Sequence, residues 1–187
     1  MVYSGLMNKT SPKAALAAAI LSLSLALTGC ATSTDTAHDG TSHSDEMMTD
    51  AAGFAQMMIP HHMQAITMAA YAKENAKNPK VLALAEQIYT GQAAEVETMK
   101  AWLGGTEMPE GMMSDGMLTD AQMAELANAK GAEFDALFLE SMKLHHEGAL
   151  AMATSFQNTS DEELKKLVTA ILQVQTIELS MIKILSE

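Results

Sequence analysis

Two stretches of this chain set paired imidazoles among thioethers at helical spacing. Phe54–Ala69 reads FAQMMIPHHMQAITMA and Phe138–Ala153 reads FLESMKLHHEGALAMA, aligned without gaps. Seven of the sixteen positions are identical, including both histidines of each pair and the methionines at 58/142 and 68/152. Imidazole suits Cu(I), Cu(II) and Zn, whereas thioether strongly favours Cu(I) or Ag(I) over Zn. Keeping polar residues while Ile59-Pro60 has become Lys143-Leu144 is hard to explain by packing alone.

On a helix with about 100° per residue, Met58, His62, Ala65 and Ala69 form one stripe, and Met57, His61 and Met68 form the next. Met142, His146, Ala149 and Ala153 repeat the first stripe; His145 and Met152 repeat the second, with Ser141 where the first copy has Met57. Adjacent histidines point roughly 100° apart. One of each pair is therefore expected to face inward and the other to lie toward the rim or a neighbouring helix. Met58 with His61 or His62, joined to Met142 with His145 or His146, would make one N₂S₂ set. Met68 and Met152 complete the candidate ligands. Pro60 lies inside the helical pattern, where it removes one backbone donor and favours a kink.

The elements that must position these residues read as all-α. Ala, Leu, Met, Glu, Gln and Lys dominate, and no segment shows the strict alternation of a strand. Helices are expected over about 50–77, 79–103, 131–157 and from Ser160-Asp-Glu-Glu163 to the C-terminus, the last opened by a capping box. Gly104-Gly105 ends the second helix. Its inner stripe is expected to be Val81, Leu84, Ala85, Ile88, Ala94 (or Glu95), Met99 and Trp102. A short helix follows Thr119, with Gln122 at the capping-box position. Ile88-x-x-x-Gln92-x-x-Glu95 is echoed by Ile171-x-x-x-Gln175-x-x-Glu178. Two duplicated helical hairpins, about 50–103 and 131–187, thus predict a four-helix bundle with pseudo-two-fold symmetry.

Residues 1–29 read as an export signal, with Lys9 and Lys13 ahead of the apolar stretch Ala14–Leu27. The stretch ends in Leu27-Thr28-Gly29-Cys30, which resembles a bacterial lipoprotein box with Cys30 as the lipidated residue. Cys30 is the sole cysteine, so no internal disulfide is available. Residues 30–48, rich in Thr, Ser, Asp and Gly, read as a flexible tether, and 49–187 as one domain. The tether carries His38 and His43, which could capture metal loosely. The connection 104–118 holds Met108, Met112, Met113 and Met117; in a Gly-rich loop these serve either as a soft-metal scoop or as packing against the bundle end.

The 187-residue chain has net charge −12, and removing residues 1–29 with their two lysines makes it −14. It contains no arginine, which excludes nucleic-acid binding through clustered cations. An acidic, exported, cysteine-poor chain fits the periplasm or outer surface, anchored to a membrane only through Cys30.

At the His-His repeats, Met58-Ile-Pro-His-His-x-x-Ala-Ile-x-Met-Ala69 and Met142-x-x-His-His-x-Gly-Ala-x-x-Met-Ala153 resemble the signature of domain-of-unknown-function family 305. Gln-x-x-Glu and Ala101-Trp102-Leu103 agree as well. The resemblance covers about residues 50–187. It implies a ferritin-like four-helix bundle and, as in some members, periplasmic copper binding at the His and Met positions above.

A copper-handling protein is therefore expected, with Cu(I) favoured, silver possible and no organic cofactor. It reads as a binder, not an enzyme. A di-iron enzyme would need inward glutamates in Glu-x-x-His motifs, and none lies at these histidines; Glu147 follows His146 directly. The alternatives are a non-catalytic helical interaction or structural module of the cell envelope and, behind it, a metal-dependent enzyme. No protein partner is legible.

Overall fold

Asp50 opens the bundle: its carboxylate accepts from the Gly53 amide at 2.7 Å and caps α1, Ala51–Asn75. In the computed structural model the described residues are 50–106 and 113–187. The signal, the tether, Cys30, His38, His43, Met108 and Met112 lie outside them. Asn78 caps α2, Pro79–Leu103, with Pro79 in the first turn, where a missing N–H costs nothing. Gly104, at φ 56°, ends α2 in the left-handed region. The expected capping box between Thr119 and Gln122 opens α3, Asp120–Asn128. α4 spans Ala132–Ser155 and α5 spans Glu162–Ser186.

The cap of α5 is Asp161, not a box begun by Ser160: the Asp161 carboxylate accepts from the amides of Glu163 and Leu164. The charged acceptor is the stronger partner for free amides at a helix N-terminus. At the α1–α2 turn, the Asp135 carboxylate accepts from the amides of Lys77 and Asn78, and the Gly131 amide donates to the Asn75 carbonyl at 2.8 Å. The first hairpin is thereby fastened to the start of α4.

Each long helix carries a polar interval between two apolar halves. One apolar cluster gathers Met68 and Ala72 of α1, Leu84 and Ile88 of α2, Phe134, Phe138 and Met142 of α4, and Ile182 of α5. The other gathers Phe54 and Met58 of α1, Val96 and Met99 of α2, Ala149 and Ala153 of α4, and Val168 and Ile171 of α5. The N-terminal half of α1 therefore packs with the C-terminal half of α4, and α2 with α5 in the same sense. α1 and α4 run antiparallel, as do α2 and α5. The stretch between the clusters holds His61, His62, Gln92, His145, His146, Gln175 and Glu178, all buried.

Two details of the α2 stripe differ from expectation. Ala94 is exposed, and Gln92 and Val96 take the inward positions, with Glu95 half-buried. α5 is long and apolar enough by length and composition to cross a membrane. Its inner stripe, however, includes Gln175 and Glu178, and it packs along α4 in the bundle.

Candidate metal centre

All four histidines of the repeats are fully buried, so neither member of a pair lies at the rim. The two members differ in what they face. His62 Nε2 donates to Glu95 Oε2 at 2.7 Å, from α1 to α2. His146 Nε2 donates to Glu178 Oε2 at 2.9 Å, the corresponding contact from α4 to α5. Glu178 Oε1 also accepts from Gln87 Nε2 at 3.0 Å. The other two rings meet between the hairpins. His61 and His145 lie with ring centroids 3.8 Å apart at 41°. His145 Nε2 donates to the His61 carbonyl at 2.9 Å, and His61 Nε2 to the Asp115 carbonyl at 3.2 Å.

These contacts settle the proton positions on each ring. Carbonyl and carboxylate oxygens only accept, so every Nε2 carries a hydrogen. All four Nδ1 atoms are buried and have no partner among the described residues. Burial pushes His61 down to about 4, reinforced by His62, while the bond to Asp115 opposes the shift. His145 is pushed well below the usual imidazole value, first by burial and then by His61 and His146. At neutral pH both rings hold an unprotonated, unpaired Nδ1 in the core. That is the electronic state of a metal-ligating imidazole, whose second nitrogen donates to an oxygen that fixes its orientation.

Glu95 and Glu178 were not among the expected site residues. Their signal was the doubled Gln-x-x-Glu, which marks them as equivalent without saying what they touch. The carboxylates do reach the histidines, but from the opposite helix of each hairpin and not through Glu-x-x-His. Among the described residues, no group of three or more His, Cys, Asp or Glu side chains is arranged to hold one ion.

The two thioethers of the expected N₂S₂ set lie on opposite sides of the imidazole layer. Met58 belongs to one apolar cluster and Met142 to the other. Met58 instead shares its cluster with Met152 and Met57, both half-buried, while Met142 shares its own with fully buried Met68. The physical reason is the antiparallel crossing of α1 and α4. A residue one turn before the histidines of one helix lies beside a residue two turns after those of the other. The thioethers thus flank the imidazole layer in two groups.

The described part of the Met-rich connection closes over one side of this layer. Gln64 Nε2 donates to the Leu118 carbonyl at 2.8 Å, and Gln64 Oε1 accepts from the Leu118 amide at 2.7 Å. Gly148, the counterpart of Gln64 in the second copy, leaves room for the same segment. A Cβ there would stand 1.9 Å from the Asp115 carbonyl oxygen. Met113 is exposed. The Met117 sulfur, half-buried, accepts from the Ser114 amide at 3.4 Å.

The profile of the family described as "Domain of unknown function (DUF305)" matches residues 50–185. The chain belongs to the DUF305 family. Solved structures agree with the bundle just described. CopM in its Cu(II)-bound form is 31% identical, covering 73% of this chain and 95% of that one at a TM-score of 0.63. CopM in its Cu(I)-bound form is 32% identical, covering 72% and 93% at 0.61. A DUF305 fragment from Deinococcus radiodurans is 29% identical, covering 72% and 94% at 0.66. Among curated proteins there is no significant match. As a DUF305 bundle, the domain keeps the doubled His-His element in its core, held between the two helical hairpins.

Proposed function

We propose that this DUF305 protein binds copper ions in its core, chiefly through the Nδ1 atoms of His61, His62, His145 and His146. Met58 and Met152 supply thioethers on one side of the imidazole layer and Met68 and Met142 on the other. The observation that carries this reading is the state of the four rings: each donates Nε2–H to an oxygen, and each keeps Nδ1 buried with no partner among the described residues. A buried ring nitrogen left without a partner is costly unless a suitable group or ion meets it. With no three imidazole or carboxylate groups set around one point among the described residues, sites of one or two imidazoles completed by thioethers are favoured. Such mixed sites suit Cu(I) and Ag(I) best. CopM, crystallised with Cu(I), Cu(II) and silver, supports the same chemistry.

The chain is further proposed to act outside the cytoplasm, in the periplasm or at the outer surface, held by a lipid on Cys30 through the tether 30–48. There it would serve copper tolerance, storage or delivery. Met57, Met113, Met117, Met108, Met112, His38 and His43 would be accessory capture points.

Titration of the purified protein with Cu(I) or Ag(I) tests the core reading. Uptake at low stoichiometry with a raised melting temperature is expected, worth about 2.7 kcal/mol at a hundredfold excess over Kd. Unchanged melting, or equal binding after His61, His62, His145 and His146 are all changed to Ala, would sink it. Cys30→Ser should release the protein from the membrane fraction.

A further inference from the structure

Eight buried side-chain nitrogen and oxygen atoms lack a partner among the described residues. Four are the histidine Nδ1 atoms. The other four are both amide atoms of Gln92 and both amide atoms of Gln175. These glutamines are buried, 4% and 2% exposed, at equivalent places in the two hairpins. Each lies one turn before the glutamate that holds a histidine, Glu95 or Glu178, on the same inward face of its helix. The apolar clusters leave them in the polar interval with the imidazoles.

A metal ion on the histidines accounts for the Nδ1 lone pairs but not for the glutamines. An amide NH₂ cannot meet a cation; it needs an acceptor. Its carbonyl oxygen is a hard donor and a poor ligand for Cu(I) or Ag(I). Once an ion holds the Nδ1 lone pairs, an oxygen ligand carried by that ion can meet both the amide N–H and the amide carbonyl. A metal-bound water fits: it accepts from one amide and donates to the other. Cu(I) and Ag(I), content with few soft ligands, leave that oxygen unneeded. Cu(II) takes nitrogen and oxygen ligands in a larger coordination number.

We infer that Gln92 and Gln175 form an oxygen-ligand subsite beside the imidazoles, positioning a metal-bound water and adding affinity for Cu(II) that monovalent ions do not share. This rests on the core metal-binding reading. Glutamine at both places thus makes the interior able to hold both oxidation states, soft ions by imidazole and thioether alone and Cu(II) with its water.

The test compares Cu(II) and Ag(I) affinity in the purified protein and in Gln92→Leu/Gln175→Leu. The expected result is a Cu(II) Kd weakened about 10- to 100-fold, as for loss of an outer partner, with Ag(I) changed less than about twofold. The Cu(II) electron paramagnetic resonance spectrum should shift with it. The metal-free double variant should melt no lower than the parent, because two unpaired amides have left the core. Single variants, each with a smaller Cu(II) loss, serve if the double variant does not fold. Unchanged Cu(II) affinity, or equal loss of Cu(II) and Ag(I), overturns the subsite. Failure of the parent itself to bind either ion in its core overturns the underlying reading instead.

Discussion

His61 is neutral in the folded core because its protonated form is desolvated there, and this has a definite sign for stability. Its pKa of about 4 lies below the usual 6.5. The folded state then binds fewer protons than the unfolded one between those values, so stability is complete above pH 6.5 and falls as pH drops toward 4. For the metal-free protein the loss from His61 alone is roughly 3 kcal/mol, and His145 adds to it in the same direction. Denaturant melts at pH 7.5 and 4.5 should show the drop. His61→Gln, which can still donate to the Asp115 carbonyl but does not titrate, should remove the share of His61 and leave that of His145. The glutamates give a second residue-scale outcome. Glu178→Leu strands His146 Nε2–H in a fully buried place and should cost about 1–3 kcal/mol. Glu95→Leu should cost less, because Glu95 keeps 18% of its side chain in solvent, where water can replace it. Neither contact was legible from spacing. A helical wheel ranks directions around one axis and does not say which neighbouring side chain stands opposite.

At the scale of elements, the segment Met113–Leu118 is bound by two unlike devices at equivalent positions of the repeat. Gln64 clamps it with both amide atoms, and Gly148 yields space to it. Gly148→Ala must push the Asp115 carbonyl away from His61, and a loss of about 1–3 kcal/mol is expected from overpacking. Gln64→Ala should speed amide exchange at Leu118, whose N–H loses its acceptor, and leave exchange in the middle of α2 unchanged. The caps divide along the same line between local and non-local. The Thr119–Gln122 box and the Gly104 stop were legible because each is completed within a few residues. The start of α5 was misplaced by one residue, since Ser160 and Asp161 are both capable caps and only the entry path of the chain selects Asp161. Asp161→Ala should therefore cost about 1 kcal/mol, and Ser160→Ala should stay within about 0.5 kcal/mol, both read as shifts in thermal melting.

Over the whole molecule, the polar layer divides the interior into two apolar clusters, each completed by helices of both hairpins. Around it the chain carries net charge −12, so capture of a cation is steered by the field of the protein and should slow as ionic strength rises. Stopped-flow uptake of Cu(II) at about 10 and 150 mM salt measures this, since the Debye length falls from about 30 to about 8 Å between them. A rate independent of salt would mean the surface charge plays no part. The sequence by itself determined the all-α class, the pairing of helices into two hairpins, most of the helix ends and the doubled His-His face, because periodicity and caps act within one helix turn. Only the tertiary structure decided that Met58 keeps company with Met152 and Met68 with Met142, that Glu95 and Glu178 hold His62 and His146, and that Gln92 and Gln175 have no partner among the described residues. Those outcomes depend on the antiparallel sense and axial register in which α1 crosses α4 and α2 crosses α5. Packing of both hairpins sets that register, and no pattern along a single helix encodes it.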